Sequence, residues 1–301
     1  LDHDPEENLL FRNNGGGTFT DVSRESGVAG HAGTGMGAVC FDFDDDGDTD
    51  IYVANDQMAN FLFRNDGRGK FEEVGIPSGA AFDAEGLTQS SMGAEAADYD
   101  NDGRLDLFVT AYRGEPATLY RNLGRGFFHD ATRISAAGSG TQLHVTWGGA
   151  LVDLDNDGDR DLFVACGHTD DNVQDRDPSA AYKDRNLVYK NVLAETGQAR
   201  FVDISERCGG GLLVEAASRG AAFDDLDNDG DLDAVVLNSR GRPTVLRNLL
   251  VESGSHNHWL ELRLQGVRSN RDGVGARVRV TAGGQTLVDE VHSGRGYQSH
   301  Y

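Results

Sequence analysis

The sequence contains few cysteines and few prolines for its length of 301 residues. The cysteines Cys40, Cys166 and Cys208 form neither an even set nor a Cys-x-x-Cys pair, so a disulfide framework is excluded. Cys40 and Cys166 lie in apolar stretches and are predicted to be buried. No apolar run approaches the roughly 20 residues that a membrane-spanning helix needs. Lysine and arginine clusters are also missing, and a formal net charge of −23 opposes binding to a nucleic-acid backbone.

Glycine is abundant by contrast, with 40 residues beside only 5 prolines. This combination indicates many tight turns instead of a proline-rich linker or a collagen helix. Aromatic and β-branched residues occur in short clusters, which is typical of a protein built from short strands. The chain is long enough to bury a large core without disulfide bonds.

A nine-residue acidic loop of the form Asp-x-Asp-x-Asp-Gly-x-x-Asp occurs four times without gaps. We number the copies loop 1 to loop 4; they cover residues 42–50, 98–106, 153–161 and 225–233. Their first residues are 56, 55 and 72 positions apart, and a polar insertion at about 168–184 accounts for the longer third interval. A recurring period of this size is typical of a repeat architecture.

Each loop lies between two apolar runs, for example 37–41 before loop 1 and 51–54 after it. These runs do not alternate, which fits strands packed on both faces. Two further elements follow: an apolar run ending in a basic residue and Asn, as in 119–122, and a run beginning with Phe, as in 128–131. Four short strands per repeat predict an all-β fold, a β-propeller of four-stranded blades. The competing parallel β-helix has a much shorter repeat.

The sequence accounts for three complete blades, a fourth whose last strand is unclear, and half a blade at residues 9–22. Each acidic loop lies between the first and second strands of its blade. Because rings of about 4–8 blades are typical, blades before residue 9 are expected to be missing.

The acidic loops are predicted to bind Ca²⁺, which prefers about six to eight hard oxygen ligands. The expected ligands are the Asp side chains at loop positions 1, 3, 5 and 9, namely Asp42, Asp44, Asp46, Asp50, Asp98, Asp100, Asp102, Asp106, Asp153, Asp155, Asp157, Asp161, Asp225, Asp227, Asp229 and Asp233. Position 7 is expected to contribute a backbone carbonyl, at Asp48, Arg104, Asp159 and Asp231. Glycine at position 6 permits the sharp turn that wraps the loop around one ion.

Other interpretations of the loops are weaker. An EF-hand requires Glu at position 12, whereas valine stands there in every copy, at Val53, Val109, Val164 and Val236. Mg²⁺ is disfavoured because it demands near-octahedral geometry and retains its waters. Simple acidic turns would explain one copy, but four crowded carboxylates repel one another without a cation. About four structural Ca²⁺ ions are therefore expected, stabilising the fold by binding the folded state alone.

The loops and the apolar strands after them resemble FG-GAP/VCBS repeats over about residues 8–250. Residues 257–264, 270–278 and 293–299 resemble the ASPIC/UnbV domain. The combination is similar to the cartilage acidic protein family and its bacterial relatives. The resemblance implies a secreted protein, extracellular or periplasmic, with about seven blades. About four and a half blades are expected here, in a fragment truncated at both ends.

The predicted domains are a propeller at 1–250 and an incomplete ASPIC/UnbV-like β domain at 251–301. Within the second, Leu260, Leu262 and Leu264 alternate with charged residues, which predicts a half-exposed strand. The runs 274–280 and 287–291 alternate similarly, and the two glycines between them supply a turn.

No catalytic constellation is recognisable, so an enzyme is not predicted. Gly-x-Ser-x-Gly and His-Glu-x-x-His motifs do not occur. We interpret His256 and His258 as part of a polar linker instead of a transition-metal pair, and His144 and His168 as surface or rim residues.

The preferred hypothesis is a calcium-binding, non-enzymatic extracellular scaffold that binds a protein or glycan partner through inter-blade loops. The insertion at 168–184 is the candidate recognition loop. One alternative is a carbohydrate-binding, lectin-like propeller, which ranks second because no aromatic residue recurs at a fixed non-core position in every repeat. Trp147 and Trp259 are candidates for stacking on sugars, but both are expected to be buried. Another is a metal-dependent enzyme, which would need ligands converging on the propeller axis outside the four loops.

Overall fold

The computed structural model describes residues 4–255, 257–292 and 294–299. Two short antiparallel pairs stand at the start of the chain. Strand β1 (Glu6–Glu7) pairs with β4 (Ala32–Gly33), and β2 (Phe11–Gly15) pairs with β3 (Thr18–Asp21). The second pair has the sequence pattern of the last two strands of a blade, so it forms the predicted half blade.

Three four-stranded blades follow in chain order. Blade 1 contains β5 (Gly35–Phe41), β6 (Asp50–Met58), β7 (Phe61–Asn65) and β8 (Phe71–Glu73). Blade 2 contains β9 (Gln89–Ala97), β10 (Asp106–Ala111), β11 (Thr118–Gly124) and β12 (Phe127–Asp130). Blade 3 contains β13 (Thr146–Val152), β14 (Asp161–Cys166), β15 (Leu187–Asn191) and β16 (Phe201–Asp203). Each strand pairs antiparallel with the next within its blade, which confirms the predicted β-propeller arrangement.

Blade 4 has three strands in the part of the chain that the structure describes. They are β17 (Ser218–Asp224), β18 (Asp233–Asn238) and β19 (Thr244–Leu246). The last regular element is a hairpin of β20 (Arg277–Ala282) and β21 (Gln285–Glu290), with the predicted two-glycine turn between them. The strand predicted around Leu262 is wrong, because residues 257–266 have no regular secondary structure. An alternating pattern of apolar and charged residues does not by itself supply the neighbouring strand whose backbone a β-strand must hydrogen-bond.

Helical structure is limited to single turns between the strands. The α-helical turns are α1 (Ser23–Ser26), α2 (Gly75–Ser78), α3 (Thr132–Ser135) and α4 (Leu193–Thr196). The 3₁₀ turns are Val28–Gly30, Thr141–Leu143, Val173–Asp175, Ser205–Arg207 and Gly210–Leu213. The turns α1, α2 and α3 each follow the last strand of a repeat, and each ends in a left-handed residue that stops the helix.

The hydrophobic core lies between neighbouring blades. One cluster joins blades 1 and 2, a second joins blades 2 and 3, and a third joins blades 3 and 4. The second strands β10 and β14 are buried along their whole length, as their non-alternating pattern predicts. Tyr52 and Tyr120 fill this core and donate their hydroxyls to the carbonyls of Ala80 and Phe82, at 3.1 and 3.0 Å, so their polar atoms are satisfied.

Glycines on the first strands let neighbouring blades approach closely. A Cβ on Gly37 would collide with the carbonyl of Met92, and a Cβ on Gly93 would collide with that of Trp147. Both glycines occupy the same place in consecutive blades. The glycine five positions before the acidic loop therefore permits close packing of blades 1 to 3 against the next blade.

Candidate metal centre

All four acidic loops connect the first strand of a blade to the second strand. Loop 3 shows the shared local structure. The carboxylate of Asp153, at position 1, accepts the backbone N–H groups of Asp157 and Gly158, at 3.2 and 3.0 Å. The same two bonds are accepted in the other copies by Asp42, Asp98 and Asp225. Position 1 therefore closes the loop on itself in every copy.

Position 9 ties each loop to its own blade. In loop 3, Asp161 accepts the N–H of Leu154 at 3.1 Å with one oxygen and that of Asn191, in the third strand, at 2.8 Å with the other. The equivalent residues Asp50, Asp106 and Asp233 make the same pair of bonds. Each position-9 carboxylate thus fixes both the loop and the start of the second strand.

Two loop positions have left-handed backbone conformations. At position 6 of loop 3, Gly158 has φ of 91°, a conformation that favours glycine. At position 4, Asn156 has φ of 56°, which Asn and Asp tolerate better than other residues. The same pairs recur as Asp45 with Gly47, Asn101 with Gly103, and Asn228 with Gly230. Sequence reasoning identified the glycine but missed position 4, although Asn or Asp stands there in every copy.

The predicted ligands converge in each loop. Carboxylate oxygens of positions 1, 3 and 9 lie within 4.8 Å of one another in loops 1 to 3, and those of positions 1, 3 and 5 do so in loop 4. The grouped residues are Asp42, Asp44 and Asp50; Asp98, Asp100 and Asp106; Asp153, Asp155 and Asp161; and Asp225, Asp227 and Asp229. Each group consists of hard oxygen donors, which fit Ca²⁺ better than a transition metal.

Several buried carboxylate oxygens have no hydrogen-bond partner within the described residues. They are Asp44 Oδ1, Asp155 Oδ1, Asp157 Oδ2, Asp159 Oδ1 and Asp231 Oδ1. Unsatisfied carboxylate oxygens are costly away from water. Asp44, Asp155 and Asp157 stand at the expected ligand positions 3 and 5. Because their loops already bring three carboxylates together, these oxygens fit the donor set that a cation would complete.

Burial makes the loop carboxylates hard to ionise. It raises the pKa of Asp98 and of Asp153 to about 6, and neighbouring loop carboxylates contribute to both shifts. Burial raises the pKa of Asp50 and of Asp161 to about 8, even though two backbone N–H groups favour the ionised form of each. Desolvation is the larger effect at these positions. A bound divalent cation would offset it by stabilising the charged forms.

The third strand supplies a basic side chain to three of the loops. Arg121 lies 2.6 Å from Asp100, and Arg247 lies 2.7 Å from Asp227. Lys190 contacts Asp155 and Asp157 of loop 3 in the same way. In blade 1, Arg64 instead pairs with Glu72 of the fourth strand, at 2.6 Å. The recurring basic residue, visible in the sequence but not interpreted there, thus balances part of the negative charge of the loops.

The Asn after that basic residue joins blades 2, 3 and 4 each to the preceding blade. Asn191 donates its side-chain amide to the carbonyl of Tyr99, at position 2 of loop 2, at 2.9 Å. Asn122 and Asn248 make the same bond to Phe43 and Leu154, both at 2.8 Å. These bonded residues are far apart in sequence. The recurring basic residue and Asn therefore did not reveal, from the sequence alone, that the Asn joins two blades.

Position 7 side chains contact neighbouring turns and, in loops 2 to 4, also the position-5 carboxylate. Asp159 accepts the N–H of Ala194 at 2.8 Å, and Asp231 accepts that of Val251 at 3.2 Å. Arg104 donates through Nε to the carbonyl of Asn122 at 2.9 Å. Asp48, in loop 1, lies beside the turn at Gly67. This use of the side chains is compatible with a carbonyl ligand at position 7, which stays a prediction.

The remaining candidate residues have varied environments. His144 contacts Asp184 at 2.6 Å, and His168 is largely buried but lines an open groove beside the insertion, in keeping with a rim residue. His258 is exposed, and His256 lies outside the described residues. Trp147 is buried as expected, but the prediction for Trp259 is wrong, because 53% of it is exposed. Cys166 is buried, while Cys40 is only partly buried.

The repeat geometry agrees with the sequence comparisons. The FG-GAP-like repeat family matches residues 2–53, 42–109 and 98–164, which together span more than half of the chain. The chain belongs to the FG-GAP-like repeat family. Its blade 4, beyond the matched residues, repeats the loop structure of the others. The ASPIC and UnbV family matches residues 266–301, which include hairpin β20–β21.

Relatives of this FG-GAP-like chain include cartilage acidic protein 1. The human protein is 26% identical over 266 residues, covering 87% of this chain and 36% of the relative. The Xenopus tropicalis protein is 31% identical over 181 residues, covering 56% of this chain and 26% of the relative. The chain therefore spans about a third or less of the length of these relatives.

A structural comparison matches an Agrocybe aegerita lectin described as recognising non-reducing terminal N-acetylglucosamine. The TM-score is 0.41 at 17% sequence identity, covering 81% of this chain and 61% of the lectin.

Among the described residues, no helix is long and apolar enough to cross a membrane.

Proposed function

We propose that this chain is a calcium-binding, non-enzymatic extracellular scaffold that binds a protein or glycan partner. The observation that carries the proposal is the fourfold repetition of one loop structure that gathers carboxylate oxygens within 4.8 Å. Ca²⁺ would be held by the side chains of positions 1, 3, 5 and 9 and by the carbonyl of position 7. Export of the protein is supported by its resemblance to the cartilage acidic protein family.

The role proposed for the ion is structural. Positions 1 and 9 of each loop belong to the connection between the first and second strands, so a bound ion would hold these two strands together. The ion would also supply positive charge to carboxylates whose pKa burial raises, among them Asp98 and Asp153 at about 6. Binding to the folded state alone would stabilise the protein by mass action.

The proposed recognition site lies at the other end of the blades. The insertion at 168–184 connects β14 to β15, whereas the acidic loops connect first to second strands. Arg113 holds the insertion in place: it contacts Asp177 at 2.8 Å, Ser179 Oγ at 3.0 Å and the carbonyl of Leu143 at 3.2 Å. A loop anchored in this way is ordered before a partner binds, which reduces the entropic cost of association.

The insertion borders an open groove of about 510 Å³. Its walls are formed by Tyr112, Arg113, Gly114, Gln142, His168, Asp170, Val173, Arg176 and Asp177. Tyr112 and His168 form an edge-to-face ring pair with centroids 5.6 Å apart. Planar polar and aromatic groups of this kind suit a glycan or a polar peptide segment.

Calorimetric titration of Ca²⁺ into the EDTA-treated full chain tests the calcium proposal, with a melting scan beside it. The expected result is about four sites and a higher melting temperature in calcium. Absence of binding, or binding without stabilisation, would mean that the loops are only acidic turns.

A glycan array probed with the full chain tests the recognition site. The expected result for a glycan partner is binding that Arg113→Ala weakens and that Arg133→Ala, at an exposed arginine, leaves unchanged. Equal glycan binding by the two variants would show that the recognition site does not lie at the insertion. If the array shows no binding, a protein partner is favoured. Proteins that bind the full chain would then be compared with those that bind a variant in which a short glycine linker replaces residues 169–182.

A further inference from the structure

The C-terminal segment, residues 257–292 and 294–299, lies against the acidic loops and contacts their backbone. Arg277 donates to the carbonyl of Gly103 in loop 2 at 2.6 Å, and Glu290 accepts the N–H of Asp42 in loop 1 at 3.3 Å. Asn257 donates to the carbonyl of Asp155 in loop 3 at 3.1 Å. These contacts depend on the shape of the loop backbone.

The position-6 glycines of three loops each face a side chain of this segment. A Cβ on Gly103 would lie 4.0 Å from Val288, and a Cβ on Gly158 would lie 3.9 Å from Leu287. Trp259 lies where a Cβ of Gly230 would be. Val288 is only 3% exposed, so the apolar side chain nearest to Gly103 is buried. One segment therefore covers loops 2, 3 and 4 in succession.

The end of the segment is anchored between the first strands of the blades. Gly296 forms an antiparallel bridge with Ala94 of β9. Arg295 lies 2.5 Å from Glu95, whose side chain is completely buried. The ring of Tyr297 packs against that of Trp147 of β13, with centroids 4.8 Å apart. The segment thus touches the propeller at two places, the acidic loops and the first strands.

We propose that docking of the C-terminal segment on the acidic loops depends on calcium. The proposal rests on the calcium sites proposed above. Without a cation, crowded carboxylates repel one another and oppose the compact loop shape. A bound ion favours that shape. In it, the backbone groups and the position-6 glycines are placed where the segment contacts them. Because coupling between two binding events is reciprocal, the docked segment in turn strengthens calcium binding.

Intrinsic fluorescence of the unmodified chain reports the docking. The sequence contains two tryptophans: Trp259 belongs to the segment, and Trp147 contacts its Tyr297. Calcium added to the EDTA-treated protein is expected to change the emission, with the same midpoint as the calorimetric titration. Binding heat without any change in emission would overturn the coupling and leave the calcium sites standing. A calorimeter signal of zero would overturn both proposals.

A matched pair of valine variants tests the reciprocal effect without changing charge. Val288→Gln places an amide against loop 2, whereas Val267→Gln changes a residue of the same segment that is 91% exposed. Val288→Gln is expected to weaken calcium binding at least about fivefold, the lower end of typical coupling, and Val267→Gln to leave it unchanged. Equal affinities in two folded variants would overturn the proposal.

A second pair of variants, at the other end of the segment, tests the same coupling even if Val288→Gln does not fold. Tyr297→Ala removes the ring that packs on Trp147, and Tyr297→Phe retains it. Tyr297→Ala is expected to weaken calcium binding although it lies away from the acidic loops, and Tyr297→Phe to bind as the unmodified chain does. Unchanged calcium affinity in a folded Tyr297→Ala variant would show that the segment and the ions act independently.

Discussion

Asn101 donates its side-chain amide to the carbonyl of Gly158 at 2.9 Å and thereby joins loop 2 to loop 3. Asn156 makes the equivalent bond to Gly230 at 2.9 Å and joins loop 3 to loop 4. In loop 1, the equivalent residue Asp45 has no amide to donate. There Arg277 contacts Asp45 and donates to the carbonyl of Gly103, so the C-terminal hairpin completes the row of linked loops.

The link between loops 2 and 3 predicts a loss of stability in Asn101→Asp. The aspartate keeps the left-handed backbone at this position, but it has no donor for the carbonyl of Gly158. We expect the free energy of unfolding to fall by about 1 kcal/mol, the net contribution of an ordinary hydrogen bond. Urea denaturation in saturating calcium measures the change.

Asn228→Asp is the matched control for this variant. Asn228 occupies the same position in loop 4 and has the same left-handed backbone, but its side chain is exposed. Both substitutions add one negative charge beside a loop, so effects of charge cancel in the comparison. Equal loss of stability in the two variants would contradict a role for the Asn101 amide in joining the loops.

A second prediction concerns the ligand role of Asp155. One of its oxygens is buried without a hydrogen-bond partner in the described part of the chain, and its carboxylate lies beside those of Asp153 and Asp161. We expect Asp155→Asn to bind about one Ca²⁺ fewer than the unmodified chain and to lose part of the stabilisation by calcium. In EDTA it should be no less stable: the substitution weakens the contact with Lys190, but burial and Asp157 outweigh Lys190 and raise the pKa of Asp155. Calorimetry and melting scans in calcium and in EDTA provide both readouts.

Asp45→Asn controls for the general loss of an acidic group. It changes a loop residue outside the ligand positions, and it introduces the residue that loops 2 to 4 carry there. The calcium stoichiometry of Asp45→Asn should equal that of the unmodified chain. Full stoichiometry and affinity in Asp155→Asn would remove position 3 from the ligand set.

The parts of the fold that depend on local sequence were predictable. Acidic loops, apolar runs and turn glycines identified the strands around each loop, because hairpins of this kind are specified by neighbouring residues. Val109 and Val164, for example, lie in second strands as expected. The two-glycine turn of hairpin β20–β21 was predictable for the same reason.

The missed features depend on partners that are distant in sequence. The amide of Asn101 bonds to a residue 57 positions later, and that of Asn191 to one 92 positions earlier. A single sequence does not contain these pairings. Leu262 illustrates the opposite error: it belongs to an alternating run, but the described structure provides no neighbouring strand for it. The calcium ligands stay a prediction, which the Asp155 variant tests.

A third prediction concerns the pH dependence of the C-terminal segment. Burial, assisted by the nearby charges of Arg295 and Arg160 and opposed by that of Asp289, lowers the pKa of His292 to about 3. The unfolded state therefore binds more protons than the folded state between about pH 3 and 6.5. The contribution of His292 to stability is complete above pH 6.5 and falls by about 1.4 kcal/mol for each pH unit below it.

Substitution by a residue that cannot ionise isolates this effect. His292→Phe is expected to flatten the pH dependence, so that its stability relative to the unmodified chain rises by roughly 2 kcal/mol between pH 6.5 and 5. Urea denaturation of both proteins across this pH range gives the difference between their free energies of unfolding. Titration of the acidic loops is common to both proteins and therefore cancels in this difference. A difference that does not change with pH would show that His292 is not buried in its neutral form.

The last prediction concerns the ion pair that anchors the C-terminal segment. Arg295 contacts Glu95 through Nε at 2.8 Å and through a terminal nitrogen at 2.5 Å, and Glu95 is completely buried. Removing one partner of such a pair leaves a charge in a dry site. Arg295→Met should therefore lower the free energy of unfolding by about 3 kcal/mol or more at neutral pH, whereas Arg268→Met, at an exposed arginine of the same segment, should have little effect.

The double variant Glu95→Gln/Arg295→Met separates loss of attraction from the cost of the remaining charge. Glutamine is neutral and similar in shape to glutamate, so the double variant should be more stable than Arg295→Met alone. A double variant that is less stable than Arg295→Met would show that Glu95 is stabilised chiefly by other neighbours. In that case Arg295 would contribute through its alkyl packing, and the charge of the pair would not be what holds the segment between the blades.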